Sequence, residues 1–492
     1  MMTLKEYLTG ISYQTPIPPE ELEQLRASSV TNDSRQVREG SIFVCVRGGR
    51  FDGHDKAEEA LSAGAAAVVA ERDLGLVRQI LVENTRAAYA LLCKNHFGSP
   101  GDRMKLVGIT GTSGKTTVAF LVKSILQTAG KRVGLMGTIH NEIGGMEFPA
   151  KHTTPDPYQL HTMLERMREA GCEYVVMEAS SHALDQRRLE GCRFAAAAFT
   201  NLSQDHLDYH GTMENYFAAK KKLFSMADAA VVNLDDPKGE ELAKELGPET
   251  VTFSLERDDA TLTARNIEST VRGSSFLIVG QKLIQRARVG MPGRFSVSNA
   301  MAAAALCHAL GLSMEEIAGG LAACPGVPGR AEVIPTDTDY TVIRDFAHAP
   351  EELEQILRTL APYKGEGRLI TLFGCAGDRD RTKRAAMGEI VARLSDLAIL
   401  TSDNPRTEDE GQIIDDTRPG LLAHKTPYRI IPDRYEAVKW ALENARKDDI
   451  LLLAGKGHED YQVLREETVY FDEKVLVGQL LEEMNRPDVP AK

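Results

Sequence analysis

The chain has 492 residues, 42% of them hydrophobic, and a formal net charge of −13 at pH 7. This length predicts about two to four domains with hydrophobic cores, and the negative charge argues against nonspecific binding to nucleic acid or anionic membranes. We expect a cytoplasmic protein with reduced thiols and no membrane span, because its seven cysteines form no C-x-x-C pair, the N-terminus has no apolar signal core and no long apolar run occurs.

The first segment of the chain extends to a turn-rich linker at 97–102. Strand candidates lie at 41–46 and 65–70. We therefore assign residues 1–103 to a smaller N-terminal α/β domain.

The second segment begins with the most informative stretch of the chain. An apolar run at 105–109 predicts a strand, a glycine-rich loop occupies 111–117, and 118–126 predicts a helix. This order is typical of a phosphate cradle, in which backbone N–H groups hold phosphate oxygens, a lysine adds positive charge and a threonine hydroxyl reaches Mg²⁺. The standard pattern requires a glycine where this chain has Ile109, so an ordinary glycine-rich turn stays open as the alternative.

Strands and helices then alternate through the remainder of the chain, which predicts parallel sheets with crossover helices. Short polar strand-like pieces at 250–290 suggest a small antiparallel patch, and an alanine-rich helix at 297–310 precedes a breaker at 324–330. The fold is therefore predicted to be α/β with three domains: the N-terminal one, a central P-loop-type parallel sheet with flanking helices at 104–331, and a C-terminal Rossmann-like α/β domain at 332–492. Predicted strands lie at 173–177, 195–200, 229–234, 340–345, 369–373, 397–401 and 450–454, and predicted helices of the third segment at 351–361, 381–394 and 434–446.

Polar motifs follow several of these strands, where doubly wound sheets bind their ligands. Glu178, directly after the strand at 173–177, is placed to bind Mg²⁺ directly or through water, although it could instead cap the next turn. Ser180 and His182 would allow a nucleophile and a base, but the Gly-x-Ser-x-Gly pattern of such enzymes is absent.

A second polar loop, 201–210, carries Asp205, His206, Asp208 and His210. This density suits a metal or phosphate site, and a solvated polar loop is the alternative. The lysines that follow at 220–222 predict, by composition alone, a solvated helix face.

Three loops of the third segment, 374–381, 403–406 and 455–459, also follow strands and are rich in charged residues. Arginine recognises carboxylate or phosphate through two parallel hydrogen bonds. The loops therefore suit a zwitterionic or doubly anionic small ligand.

Taken together, the motifs resemble the Mur ligase family of peptidoglycan synthesis over almost the whole chain. The short glycine loop of that family also explains Ile109. Asp403-Asn404-Pro405-Arg406 is similar to the signature of the members that add meso-diaminopimelate, and the lysine-adding members differ where Arg406 stands. Diaminopimelate has a second carboxylate that lysine lacks, and an arginine left without that partner in a closed pocket would be costly. The residues that carry the resemblance are Gly111 to Thr117, Glu178 to His182, Asn201, Leu202, Asp205, His206, Tyr216, Ala219, Lys220, Asn299, Gly329, Arg330, Asp345, Ala347 and His348.

The resemblance implies an ATP-dependent amide ligase of cytoplasmic peptidoglycan precursor synthesis that uses Mg²⁺, works as a monomer and binds only small molecules. The resemblance implies that Lys115, Glu178, His206 and Lys220 are catalytic. The residues it implies to contact ATP are Gly111, Thr112, Ser113, Gly114, Lys115, Thr116, Thr117, Asn299, Arg330 and Asp345. The implied magnesium ligands are Thr116, Glu178, His206 and Lys220, the last as a carbamate (N6-carboxylysine). The residues implied to bind the UDP-linked dipeptide are Ser34, Thr153, Thr154, Ser180, Gln186 and Arg188. Those implied to bind diaminopimelate are Arg379, Asp403, Asn404, Pro405, Arg406, Gly455 and Glu459.

Other functions remain open at this point. A lysine-adding ligase or a folylpolyglutamate synthetase would share the fold; Arg406 argues against the first, and an N-terminal segment with Asp33-Ser34-Arg35 against the second. A switch NTPase would turn over nucleotide without small substrates. A non-catalytic relative would be expected to have lost Lys115, Glu178, His206 or Lys220, and all four are present.

Overall fold

A computed structural model describes residues 1–49 and 51–484. They form two compact units. The first unit comprises 1–264, 278–285 and 299–323, and the second comprises 265–277, 286–298 and the chain from Cys324 onward. The chain passes between the units within the strands Leu262–Thr270, Gly273–Gly280 and Leu283–Val289 and within the helix Arg294–Ala309. The predicted borders at 103 and 331 stay predictions.

The first unit contains a four-stranded parallel sheet near the N-terminus. Its strands pair in sequence order: Ser29–Thr31, Ser41–Val44, Ala67–Ala70 and Gln79–Leu81. The two central strands are buried at every residue, as expected of a parallel sheet covered on both faces. They confirm the two strand predictions with shorter bounds, whereas the three-residue outer strands were too short to produce a pattern. The helices of this region are Leu4–Tyr7, Pro19–Gln24, Ala57–Ser62 and Thr85–His96, and the strands Met2–Thr3 and Arg26–Ala27 pair separately.

The larger sheet of the first unit has the strand Lys105–Thr110 at its centre, between Tyr174–Glu178 and Phe194–Phe199, and both pairings are parallel. Beyond Phe194–Phe199 lie Ala230–Asn233 and Val251–Ser254, and beyond Tyr174–Glu178 lies Val133–Met136. An antiparallel hairpin, His140–Ile143 with Met146–Pro149, extends that edge. The predicted parallel strands are confirmed; the strand at 133–136 and the hairpin were missed.

Helices cover this sheet, and one of them opens on the glycine loop. The helix Lys115–Thr128 has Gly114 at its N-cap and no side-chain cap, an arrangement typical of helix N-termini that bind anions. The helix Pro157–Glu169, by contrast, is capped by the Asp156 side chain. The other helices of this part of the chain are Ser181–Asp185, Leu207–His210, Met213–Lys221, Pro237–Leu246 and Met314–Ala323.

The second unit contains a six-stranded sheet. Its order is Glu332–Ile334, Thr341–Asp345, Ile450–Ala454, Leu369–Phe373, Leu397–Leu400 and Tyr428–Ile430, with only the first strand antiparallel. Tyr461–Val463 and Thr468–Tyr470 form a small separate sheet. The four predicted strands and three predicted helices of this segment are confirmed within a few residues. The helices are Pro350–Leu360, Lys383–Leu394, Glu410–Leu422, Arg434–Asn444 and Glu473–Met484.

Two further predictions concern the whole chain. Over residues 1–49 and 51–484, no helix combines the length and the apolar character needed to cross a bilayer. All seven cysteines fall within these residues, where they are buried and form no disulfide, which agrees with the prediction of reduced, structural thiols.

Candidate active site

The glycine loop is held in place by the neighbouring strand end. The Ser113 N–H donates to Oδ1 of Asn201 (2.9 Å), and the Thr200 hydroxyl donates to the Ser113 carbonyl (2.7 Å). Gly111 and Gly114 have φ of 152° and 86°, conformations that favour glycine. A Cβ on Gly114 would overlap the side-chain oxygen of Asn299, so that predicted ATP contact lies directly against the loop. The arrangement leaves a preformed, uncapped cradle at the start of the helix.

Two lysines converge on this loop. The Lys115 ammonium donates to the carbonyls of Gly111 (2.9 Å) and Thr112 (2.7 Å), and Lys220 donates to the same Gly111 carbonyl (2.6 Å). Lys220 is only 1% exposed, and its Nζ lies 4.2 Å from the centre of the Tyr216 ring. The compositional prediction of a solvated face is therefore wrong for Lys220, although its neighbour Lys222 is exposed.

Burial lowers the pKa of Lys220 well below its ordinary value, and the positive charge of Lys115 lowers it further while Asp205 opposes the shift. A buried amine without a carboxylate at hydrogen-bond distance is stabilised in its neutral form. A neutral amine is the form that reacts with CO₂, so the environment fits the carbamate that the family resemblance implies.

Glu178 is buried and lies beside the phosphate loop. One of its oxygens accepts hydrogen bonds from the hydroxyls of Thr116 (2.9 Å) and Thr138 (3.0 Å), and the other accepts from the Thr138 N–H (2.8 Å). The structure thus joins Thr116 and Glu178, two predicted magnesium ligands. Their oxygen atoms are the kind of donor that Mg²⁺ prefers.

His206 is placed near both lysines but is half-exposed, in a left-handed backbone conformation with φ of 53°. Its ring lies 4.8 Å from that of His182. Desolvation lowers the pKa of His206, Asp205 opposes the shift, and Lys115 and Lys220 add to it, which favours the neutral imidazole that a metal needs.

Five of the six residues predicted to hold the dipeptide, all except Ser34, form one hydrogen-bonded group next to Glu178. Thr154 donates to the Glu178 carbonyl (2.7 Å) and accepts from the Ser180 N–H (3.0 Å), and Arg188 donates to the Thr154 carbonyl (2.9 Å). Thr153 reaches the cluster through the Thr138 hydroxyl (3.1 Å), and Gln186 accepts from the Arg188 guanidinium (2.8 Å). In the described part of the chain no hydrogen bond joins Ser180 to His182, so the nucleophile-and-base alternative has no geometric support.

A cavity of about 150 Å³ adjoins this group. Positive side chains and an aromatic ring suit it to an anionic ligand that also carries apolar surface. Ser34, in the turn Ser34–Gln36, does not line it, although Asn32 does. The lining residues are Asn32, Val46, Arg86, Tyr89, His152, Asp156, Pro157, Gln186 and Arg188.

The second unit holds the remaining predicted ATP contacts. Asp345 accepts hydrogen bonds from the N–H groups of Ala331 (2.6 Å) and Ala347 (2.8 Å), and desolvation raises the pKa of its carboxyl while Arg330 opposes the shift. The Arg330 guanidinium lies over the Phe346 ring at 4.8 Å. The structure therefore places Arg330 and Asp345 side by side.

The residues predicted to bind diaminopimelate cluster at the carboxyl ends of two strands of this unit. Asn404 donates to Oε2 of Glu459 (3.0 Å), and the Arg406 N–H donates to the Val463 carbonyl (3.1 Å). Arg406 has a φ of 54°, a conformation that is uncommon for a residue other than glycine. Arg379, by contrast, is exposed, and its guanidinium donates to the Asp378 carbonyl (3.1 Å).

Sequence reasoning missed three residues that belong to these clusters. Thr138 contacts Glu178 but follows a strand that was not predicted, and Arg86 lies on a helix of the N-terminal region with no motif around it. Lys456 stands inside a motif that was recognised, yet only its neighbours were assigned a role. Its complete burial gives no signal in the sequence.

Three domain descriptions of one family match the chain in order. "Mur ligase family, catalytic domain" matches residues 26–95, "Mur ligase middle domain" matches 109–307, and "Mur ligase, glutamate ligase domain" matches 329–457. A UDP-N-acetylmuramoyl-L-alanyl-D-glutamate–2,6-diaminopimelate ligase of Clostridium tetani is 41% identical over 98% of this chain and 100% of its own length. This chain belongs to the Mur ligase family. The resemblance drawn from the motifs is thus confirmed.

Solved structures of Mur ligases have the same fold. One, of a UDP-N-acetylmuramoyl-L-alanyl-D-glutamate–2,6-diaminopimelate ligase, is 32% identical with a TM-score of 0.74 and covers 99% of this chain and 100% of that one. Another, a MurF ligase from Thermotoga maritima in complex with ADP, is 21% identical with a TM-score of 0.60 over 93% of this chain and 97% of that one. The second likeness supports the three-domain α/β Mur ligase fold alone.

Proposed function

We propose that this Mur ligase joins meso-diaminopimelate to UDP-N-acetylmuramoyl-L-alanyl-D-glutamate at the expense of ATP. The observation that carries the proposal is the cluster in which Lys115, Lys220 and the Thr116–Glu178 pair meet around one uncapped phosphate loop. Relatives aligned over their whole length are named for this reaction, and Arg406 matches the acceptor that those names state. We expect the reaction to take place in the cytoplasm and the protein to act as a monomer.

The first step activates an acid. The γ-carboxylate of the D-glutamate attacks the γ-phosphorus of ATP, and the bond from that phosphorus to the β–γ bridging oxygen breaks, giving an acyl phosphate and ADP. Lys115 and the N–H groups of the loop neutralise charge on the transferring phosphoryl group. Thr154, Ser180 and Arg188 would hold the dipeptide beside Glu178, so that the attacking carboxylate stays near the loop.

The donor set around the loop fits Mg²⁺. Thr116, Glu178, neutral His206 and the carbamate of Lys220 would hold the metal, and when bound it would offset the negative charge of the phosphate oxygens. The carbamate keeps one N–H on Nζ, so Lys220 can retain its hydrogen bond to the Gly111 carbonyl.

The second step forms the amide. The neutral amine of diaminopimelate attacks the acyl carbon, the carbon–oxygen bond to phosphate breaks, and inorganic phosphate leaves while the amine loses a proton. Asn404, Glu459 and Arg406 would orient the amino acid, with Arg406 pairing with the carboxylate farthest from the reacting amine. Closure of the C-terminal domain over the acyl phosphate, which would exclude water, is part of the proposal.

One assay separates this function from the alternatives. ADP release is measured with ATP, magnesium and the UDP-linked dipeptide, adding meso-diaminopimelate, L-lysine or no amino acid. We expect release only with the dipeptide, strong stimulation by meso-diaminopimelate and weak stimulation by L-lysine. Preference for L-lysine would indicate the lysine-adding type, turnover without the dipeptide would indicate a switch NTPase, and no turnover would indicate a non-catalytic relative.

A further inference from the structure

Lys456 lies in the loop that follows the strand Ile450–Ala454, and none of its side chain is exposed. Its neighbours Gly455 and Glu459 are among the residues predicted to contact diaminopimelate, but no role has been assigned to Lys456. Lysine is almost never fully buried unless it is paired, because an ammonium is costly to remove from water. The surroundings of Lys456 therefore call for an explanation.

The Lys456 ammonium has four oxygen neighbours. It donates hydrogen bonds to Oδ1 of Asn404 (2.7 Å) and to the carbonyl of Tyr461 (2.7 Å). Carboxylate oxygens of Glu459 and Asp403 lie at 3.4 Å and 3.5 Å. Three of the four neighbours, Asp403, Asn404 and Glu459, are residues proposed to bind the amino acid.

These contacts join two segments that are remote in the sequence, 403–406 and 455–463. Two hydrogen bonds between uncharged groups cross the same junction: Gln462 donates to the Asp403 carbonyl (2.6 Å), and the Val463 N–H donates to Oδ1 of Asn404 (2.8 Å). Lys456 is the part of the junction that carries positive charge between Asp403 and Glu459. Without it, Asp403, Glu459 and the Asn404 amide oxygen would lose the ammonium that lies between them.

The strand ends themselves have a separate anchor. Arg434, fully buried with Glu473, donates to the carbonyls of Ser402 (3.1 Å) and Ala454 (2.9 Å), the residues just before each segment. The backbone entry to both segments is therefore fixed independently of Lys456. Loss of the Lys456 ammonium is expected to disturb the side chains of the site more than the fold.

We propose that Lys456 is a positioning residue for the amino-acid substrate, holding Asn404 and Glu459 where they bind diaminopimelate. It rests on the proposed function. The side chain acts through its neighbours, since its hydrogen bonds are directed to protein atoms. Its effect is therefore specific to one substrate of the three.

The test compares Lys456→Met with Lys364→Met in the full-length chain. Lys364 pairs with Asp396 (2.5 Å) and belongs to neither substrate cluster. For Lys456→Met we expect the KM for meso-diaminopimelate to rise roughly tenfold or more, because Asn404 and Glu459 lose the ammonium that holds them in place. The KM for ATP and the KM for the dipeptide should each change by less than about twofold. Lys364→Met should leave all three unchanged.

A partial reaction provides a second readout. Borohydride reduces an acyl phosphate to an alcohol, so the first step can be trapped without any amino acid. Lys456→Met should form as much trapped product as the wild type, because the ammonium acts only on the second substrate. A smaller amount of trapped product, together with equal rises in all three KM values, would show a merely structural role and overturn the proposal.

Gln462→Leu keeps the test decisive if Lys456→Met does not fold. Gln462 lies in the strand Tyr461–Val463 and donates to the Asp403 carbonyl. The variant therefore weakens the contact between 403–406 and 455–463 without removing the Lys456 ammonium. We expect a smaller rise in the KM for diaminopimelate alone, of roughly threefold. An unchanged KM would overturn the proposal. A wild-type protein that fails to ligate diaminopimelate at all would instead refute the proposed function.

Discussion

Two lysines of this protein are buried to nearly the same degree but have different surroundings. Lys220, in the first unit, is 1% exposed and donates to one backbone carbonyl; Lys456, in the second, is fully buried and has two carboxylates and two further oxygens around it. Burial lowers the pKa of both. For Lys456 the charges of Asp403 and Glu459 oppose the shift, whereas Lys115 increases it for Lys220.

The difference indicates what each amine can do. An amine that burial makes neutral, with no carboxylate at hydrogen-bond distance among the described residues, is a nucleophile that can react with CO₂. An ammonium held by two carboxylates and an amide oxygen is a fixed point of attachment. Burial alone therefore does not assign a role to a lysine; the number and charge of its partners do.

The largest expected effect comes from Lys220→Met. If the carbamate helps hold magnesium, kcat should fall on the order of a thousandfold, as when a group that stabilises transition-state charge is removed. Wild-type enzyme prepared free of CO₂ should lose activity and regain it with bicarbonate, and the variant should not respond. Lys221→Met, which removes the next lysine on the helix and its pairing with Glu245, is the control and should retain activity. A fully active Lys220→Met would contradict the neutral-amine account.

Arg406→Ala should have the next largest effect. Loss of a charge-assisted pair costs about 2–3 kcal/mol, so the KM for meso-diaminopimelate should rise roughly 30- to 150-fold. The KM for ATP should be unaffected, and the low activity with L-lysine should not fall, because lysine has no second carboxylate. Arg358→Ala, which breaks a surface pair with Glu354 (2.6 Å), is the matched control. An equal rise in the KM for ATP would exclude the assignment.

His161 extends the comparison to a buried base with no hydrogen-bond partner on either ring nitrogen within the described residues. Desolvation lowers its pKa to about 4, with Lys94 adding to the shift and Asp102 opposing it. The unfolded chain takes up this proton near pH 6.5 and the folded chain does not, so folding stability is lost as the pH falls below that value. Between about pH 7 and pH 5 the wild type should lose about 2 kcal/mol more unfolding free energy in urea than His161→Leu. Parallel losses in both proteins would contradict a partnerless histidine.

The smallest effect is expected from Thr138→Val. The variant loses the hydroxyl that donates to Glu178 but keeps the backbone N–H that donates to its other oxygen. Removing one hydrogen bond to a charged group should lower kcat about tenfold. Thr162→Val is the control, because its hydroxyl donates to a carbonyl one helical turn earlier and Thr162 is not among the predicted site residues. The same loss in both variants would indicate general destabilisation.

The sequence predicted the βα alternation, the glycine loop and the polar loops after strands, because apolar runs and turn residues are local signals. It missed Val133–Met136 and the hairpin beside it, where four-residue strands carry no distinctive period, and with them Thr138. Composition alone could not separate Lys220 from the two lysines that follow, although the family resemblance singled it out. Which one is buried depends on the rotation of the helix Met213–Lys221 against the phosphate loop, and that is a property of tertiary packing.

The central claim is that phosphate from ATP activates the acid before the amine arrives. The most direct measurement uses dipeptide substrate labelled with ¹⁸O in the γ-carboxylate of D-glutamate, together with ATP, magnesium and meso-diaminopimelate. If an acyl phosphate forms, the inorganic phosphate released with each new amide bond carries one ¹⁸O atom from the substrate. Product formation with unlabelled phosphate, or release of phosphate without an extended peptide, would contradict the account.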